Sequence, residues 1–303
     1  MRFWKVIADY FVAQVQFVWS IVSKPRQLVA LLKRIPYFLG MLLFALTIIV
    51  PLVWVVSTSF KTVPEIFKDP WLLPLEAQWQ NYANAWEREG IGAAFKNTAI
   101  VTVATLVFLI PIGAMAAYIF AKYPFRGSKA LFGMFLGGMM FPNFLIVIPL
   151  YFLLQSISLY DTMTGLVVAY IAYSLSFTIF VLTGFFQALP NELAEAAQID
   201  GCGHYMTFSR IMLPLAKPGL IVVGIFNAIG LWNEFPLANI LINEEANRTL
   251  PLQVVEMATA QQYSSDWGAL FAGLVIVTLP VMGVYWIFRD KIHETMLAGA
   301  VKG

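Results

Sequence analysis

The chain has 303 residues, of which 60% are hydrophobic and 12% charged, with a mean hydropathy of +0.75. About a quarter of a typical soluble domain is charged, and half that share cannot cover a water-facing surface, so a soluble enzyme and a disordered chain are both excluded. A net charge of +2 is too small for a nucleic-acid binder, and the single cysteine, Cys202, permits no internal disulfide and has no Cys/His cluster to make a metal site.

Residues 3–23 come first and carry Lys5, Asp9, Gln16, Ser20 and Ser23 on one side of a helix, leaving a wide face of Phe, Trp, Val and Ile. No small-residue cleavage site precedes Lys24-Pro25-Arg26, so this is not a signal peptide. The pattern predicts an uncleaved helix lying in the membrane interface; packing on another subunit, or a true span, stays open. Residues 1–35 therefore read as an amphipathic cytoplasmic arm and 36–303 as the membrane domain.

A bilayer core needs roughly 20 apolar residues per helix. Runs near 38–56, 97–120, 131–154, 165–187, 219–242 and 269–288 meet that requirement, and no alternation of barrel type appears. The expected fold is all-α, a bundle of six transmembrane helices. Lys and Arg fall mainly in alternate segments: Arg2 to Arg34 in the arm, Lys122, Arg126 and Lys129 in one loop, Arg210 and Lys217 in another, and Arg289, Lys291 and Lys302 in the tail. The other segments hold only Lys61, Lys68, Arg88, Lys96 and Arg248. The positive-inside rule then places both termini in the cytoplasm and 57–96, 155–164 and 243–268 outside.

Soluble-enzyme chemistry has little to stand on. His204 and His293 lack metal-ligand spacing, and there is no G-x-x-x-x-G-K-[ST] phosphate loop. If ATP drives this protein, another chain hydrolyses it. One acidic residue, Glu234, falls inside a span, in Leu231-Trp232-Asn233-Glu234-Phe235-Pro236. A charge in lipid costs about 3 kcal/mol on insertion scales and so faces a cavity or a partner. With Pro236 breaking the helix, Trp232, Asn233 and Glu234 form a candidate translocation path for a polar solute; a hydrated helix end is the alternative.

The 188–218 loop is the most ordered connection. Asn191 reads as an N-cap, Glu192 and Glu195 suit the first turns of a helix over 192–200, and Gly201 and Gly203 suit a left-handed reversal. A second short helix over about 204–212 should stop at Pro214. Small residues Ala194, Ala196, Ala197 and Gly201 would let this helix-turn-helix seat in another protein's groove.

Glu195-Ala196-Ala197, then Gly201, then Ile211-Met212-Leu213-Pro214 resembles the EAA coupling loop of ATP-binding-cassette importer permeases. From about residue 38 to 303 the chain is similar to the maltose-type carbohydrate permeases, on the side of their second, six-helix subunit. Ser59-Phe60-Lys61-Thr62, Asn81-Tyr82, Trp232-Asn233-Glu234-Phe235 and the terminal Ala298 to Gly303 carry the likeness. Cys202-Gly203 and Thr295 depart from the family pattern.

The resemblance implies a bacterial inner-membrane permease for a sugar or oligosaccharide, paired with a second permease, two ATPase subunits and an extracytoplasmic solute-binding protein. It also implies no cofactor on this chain, ATP and Mg being held by the ATPases. Glu195, Ala196, Ala197, Asp200, Gly201, Ile211, Leu213 and Pro214 would contact the ATPase. Gly299, Lys302 and Gly303 would reach between the ATPases as a thin, flexible strand. An ion-coupled secondary carrier, a non-transporting scaffold, and an importer of a glycerol-phosphate or alginate-like solute are the competing expectations.

Overall fold

The computed structural model describes residues 25–264 and 266–300, and among these every regular element is helical. The helix expected over 3–23 lies outside the described residues. By their contacts, the described residues up to Ser57 form one unit and those from Thr58 onward a second. The first is represented by α1 (Pro25–Ser59), which runs unbroken through Pro36 and Pro51. Most of its apolar side chains between Ile35 and Val56 are exposed, a surface suited to lipid.

The second unit opens with α2 (Val63–Lys68) and α3 (Gln80–Ala83), which passes into a π turn over Asn84–Arg88. Here Ser59-Phe60-Lys61-Thr62 and Asn81-Tyr82, far apart in sequence, form one joint. Asn81 Nδ2 donates to the carbonyls of Ser59 and Lys61, both at 2.9 Å, and Ser59 Oγ lies 2.8 Å from the Tyr82 hydroxyl. Lys61 is 1% exposed, and its ammonium donates to the carbonyls of Asp69 (3.1 Å) and Pro70 (2.9 Å). Thr62 and Glu65 make a reciprocal capping box. Hydrogen bonds from the Thr62 amide and hydroxyl hold the Glu65 carboxyl below its usual range.

The helices α4 (Ile91–Lys122) and α7 (Met163–Ala188) are the central pair. They approach so closely at Gly113 that a Cβ there would sit 2.3 Å from Thr178 Cγ2, the small-residue contact by which membrane helices pack. α10 (Lys217–Trp232) joins them: Gly219 faces the Phe185 ring, and Asn227 Nδ2 donates to Thr178 Oγ1 (3.1 Å) and to the Val223 carbonyl (2.9 Å). α13 (Trp267–Ala300) closes the unit against α3, α10 and α12 (Leu250–Ser264).

Four helices among the described residues are long and apolar enough to cross a membrane, and six do so if each of two bent pairs is one span. The run expected as one helix over 131–154 is one of those pairs. α5 (Ser128–Met140) and α6 (Asn143–Ser156) meet at 107°. Pro142 lacks a donor and forces Phe141 into an extended conformation (φ −73°, ψ 129°), so the helix cannot continue. The other pair joins His204–Leu215 to Lys217–Trp232 at 73°, and the run expected over 219–242 is itself divided. α10 stops at Trp232, and α11 (Pro236–Leu241) starts anew after Asn233-Glu234-Phe235. The tail differs too: α13 continues through Ala298, Gly299 and Ala300, so this stretch is helical rather than an extended strand. Lys302 and Gly303 lie outside the described residues.

The turn between α6 and α7 is fastened to the end of α11. Asp161, at φ 58°, accepts from the amides of Asn243 (2.8 Å) and Glu244 (2.9 Å), and its own amide donates to the Leu241 carbonyl (3.1 Å). Thr162 caps α7 through the Gly165 amide (3.0 Å), and a Cβ on Gly165 would lie 1.9 Å from the Leu159 carbonyl oxygen. Gly165→Ala should therefore cost about 1–3 kcal/mol through overpacking against backbone. Denaturation of the purified protein in detergent measures it, and an unchanged midpoint would show that the turn yields without cost.

Candidate functional site

Two places gather the residues that sequence reasoning singled out. One is a cavity of about 570 Å³ between α5, α6, α7 and α10, lined among others by Gly138, Ser174, Ser176, Phe177, Asn227 and Glu234. Among the described residues, Glu234 is the one charged residue on its wall. The apolar surface with a few convergent polar groups is the usual chemistry of a solute site.

Glu234 is not the unpaired carboxylate that its sequence context suggests. Its Oε2 accepts from the Tyr170 hydroxyl at 2.6 Å and from the Ala238 amide at 3.1 Å, and its Oε1 accepts from the Leu237 amide at 2.7 Å. Leu237 and Ala238 are buried at the start of α11, where a helix has amides with no internal acceptor. Pro236, one residue earlier, has no N–H to satisfy. Glu234 therefore caps α11 and ties it to α7, while its half-buried side chain also meets the cavity.

The other two members of the expected path stand elsewhere. Trp232 Nε1 donates to the Val277 carbonyl (3.2 Å), and its ring lies edge-on to Phe95 at 5.2 Å. It braces α10 against α4 and α13 and does not line the cavity. Asn233 is exposed and closes α10 by donating to the Ile229 carbonyl at 2.8 Å. Sequence reasoning passed over Tyr170 and Asn227. Asn227, a polar residue within an apolar run, carried a signal of its own; Tyr170 carried none, because its partner lies 64 residues away.

The second place is the 189–216 segment. α8 (Glu192–Ile199) leads through Asp200-Gly201-Cys202-Gly203 to α9, which starts as His204–Thr207, loosens into a π turn over Phe208–Met212 and ends as Leu213–Leu215. The helical run thus passes through Pro214, which lies just past the π turn and leaves that turn one backbone donor short. Gly201 has φ 84°. The Gly201 amide reaches the Gln198 carbonyl (3.1 Å) and the Cys202 amide the Ala197 carbonyl (2.9 Å), the paired bonds of a Schellman ending. Gly203 is not left-handed: its φ is −69°, since one positive-φ residue completes the reversal. Nor does the Asn191 side chain cap α8; its Oδ1 accepts from Lys122 Nζ at 2.7 Å instead.

Of the eight residues matched to the EAA pattern, Glu195, Ala196, Asp200, Gly201 and Pro214 are exposed, whereas Ala197 is buried and Ile211 and Leu213 pack against the chain's own core with Phe186, Phe208 and Met212. Ala194 packs against that same core and Ala197 is buried, so these small residues seat α8 on its own protein. The outward face is acidic and apolar together: Glu192, Glu195 and Ile199 on α8, then Tyr205 on α9. Ile199 is 87% exposed and Tyr205 78%. Ile199 was legible from register, being on the opposite side of the helix from Ala194 and Ala197.

Residues 109–289 match the family of binding-protein-dependent transport system inner membrane components. The chain is 40% identical to the diacetylchitobiose uptake system permease protein NgcG of Streptomyces coelicolor, over 86% of this chain and 87% of that one. It is 32% identical to the trehalose transport system permease protein SugB of Mycobacterium tuberculosis, over 84% and 92%. In fold it matches a chain of a bacterial ABC transporter that imports the acidic polysaccharide alginate, with a TM-score of 0.71, 23% identity and coverage of 88% and 97%.

Replacing Glu234 tests the capping role. Glu234→Ala leaves two amides and the Tyr170 hydroxyl without an acceptor, at about 1–3 kcal/mol for each group left buried. Glu234→Gln keeps one acceptor oxygen and should lose less. Denaturation midpoints of the two variants in detergent measure this, and a midpoint for Glu234→Ala equal to wild type would contradict it.

Proposed function

This chain belongs to the family of binding-protein-dependent transport system inner membrane components, and we propose that it is the permease subunit of an ATP-driven importer of a sugar or oligosaccharide. The observation that carries the proposal is the agreement of relatives over nearly the whole membrane domain, with permeases of diacetylchitobiose and trehalose uptake among them. That agreement favours an importer over an ion-coupled carrier. In this reading the chain forms half of a translocation path with a second permease, and the 570 Å³ cavity is this chain's share of the path.

The sorting of Lys and Arg supports a cytoplasmic position for the termini and for α8–α9. The exposed face of Glu192, Glu195, Ile199 and Tyr205 then meets an ATPase subunit. It combines large apolar side chains with charge, and a surface of that kind fits a partner's cleft better than bulk water. The solute-binding protein docks on the opposite side of the membrane; a fold neighbour of this chain is itself described in complex with a periplasmic protein bearing an alginate pentasaccharide. ATP and Mg belong to the ATPases. Closure of the ATPase pair displaces α8–α9 and shifts the balance between inward- and outward-facing states, for which differential contact in the two states is the only requirement. Gly299, Lys302 and Gly303 extend the contact with the ATPases from the end of α13.

Glu195→Lys reverses a charge on the docking face, in a first turn that favours anions. Gly201→Val forces a branched residue to φ 84°, a strain of about 1–2 kcal/mol. Both variants should reach the membrane at wild-type levels yet lose solute uptake about fivefold or more. Wild-type uptake by either, in vesicles holding the full transporter, would remove the docking role.

A further inference from the structure

The α8–α9 segment is held at its start and again at its middle, where α9 begins, by the residues that end a single helix. Lys122 ends α4, and its ammonium donates to the Leu189 carbonyl at 2.6 Å and to Asn191 Oδ1 at 2.7 Å. Leu189 is the C-cap of α7, and Asn191 is the residue before α8. The neighbouring Tyr123 places its hydroxyl 3.0 Å from Nδ1 of His204, the first residue of α9, with the two rings edge-on at 5.4 Å. One turn back on α4, the Tyr118 hydroxyl lies 3.4 Å from that of Tyr123. The Tyr118 ring packs on Phe186 of α7 at 5.4 Å and on Phe208 of α9 at 5.1 Å.

Asn191 shows that this fastening competes with local structure. Asparagine before a helix ordinarily caps it, yet here it turns to Lys122, and α8 begins without a side-chain cap. A charged donor makes the stronger hydrogen bond of the two choices.

From Tyr118 the helix α4 continues to Gly113, which interlocks with Thr178, and Thr178 holds Asn227 on the cavity wall. An unbroken series of rigid contacts thus joins the 189–204 segment to the cavity through α4.

We propose that Lys122 and Tyr123 are positioning residues that make α8–α9 and α4 move as one body, so that displacement of the docking face reaches the cavity instead of being absorbed where the segment joins α7. The proposal rests on α8–α9 being the ATPase contact. It adds that the covalent joints at Leu189 and Ala216 are insufficient for coupling. Without the two side-chain ties, the ATPases would still bind and hydrolyse ATP, but their motion would swing the segment about its ends.

The test uses the complete transporter in lipid vesicles and reads ATP hydrolysis and solute uptake from the same sample. Their ratio is the informative quantity, because poor folding lowers both activities together and leaves it unchanged. Lys122→Met and Tyr123→Phe should each raise the ATP used per solute moved, by roughly two- to thirtyfold, and together they should raise it further. Lys122→Arg, which keeps a charged donor, should restore a ratio near wild type. Tyr123→Phe keeps the ring packing and serves if Lys122→Met does not accumulate. Unchanged ratios in both variants would overturn the proposal, as would equal damage from Lys122→Arg and Lys122→Met. Glu195→Lys separates this from failure of the functional reading. If it uncouples while the Lys122 and Tyr123 variants do not, α8–α9 is the contact and these ties are only structural. If it too leaves the ratio unchanged, the contact itself is misplaced.

Discussion

A helix that stops and restarts leaves amides with no internal acceptor, and the site in this chain depends on how one such break is closed. Between α10 and α11 the closing group is Glu234. Its carboxylate takes the Leu237 and Ala238 amides and the Tyr170 hydroxyl at 2.6–3.1 Å. A neutral side chain could accept fewer of these bonds, and without them two buried amides and a hydroxyl would lack acceptors. With the break closed, α11 stays fixed to α7, Asp161 fastens the far end of α11, and the cavity keeps a wall at this point. Pro236 makes the break, and Glu234 makes it tolerable.

The same balance of local preference against distant partners governs the 189–216 segment. Its inner side is a set of small and apolar residues: Ala194, Ile211 and Leu213 pack on the core that holds Phe186 and Met212, and Ala197 is buried. Its outer side presents Glu195, Ile199 and Tyr205. An element so divided is held firmly on one side and leaves the other ready for a partner. The turn between its helices uses one left-handed residue, Gly201.

Much of this was legible in the sequence, and what was missed follows a single rule. The apolar runs located the membrane helices because span length and hydropathy are local properties. Gly201 was legible as a left-handed helix end for the same reason. Features set by a distant partner were not legible: the Glu234 contact comes from Tyr170, and Asn191 abandons its cap for Lys122, 69 residues away. Trp232, expected beside the path, has its indole engaged by Val277, 45 residues away in sequence, and by Phe95, farther still. The 107° break at Phe141-Pro142 lay between these cases, since the proline announced an interruption but no local rule gives its direction.

As one part of an ATP-driven importer, this chain moves solute only together with its partners. The most direct measurement is uptake of labelled oligosaccharide into vesicles holding this chain, its second permease and the ATPases, with solute-binding protein supplied outside. Accumulation should require both ATP within and binding protein without, and should persist when proton and sodium gradients are collapsed. Accumulation that ignores ATP and follows an ion gradient would contradict the account at its base.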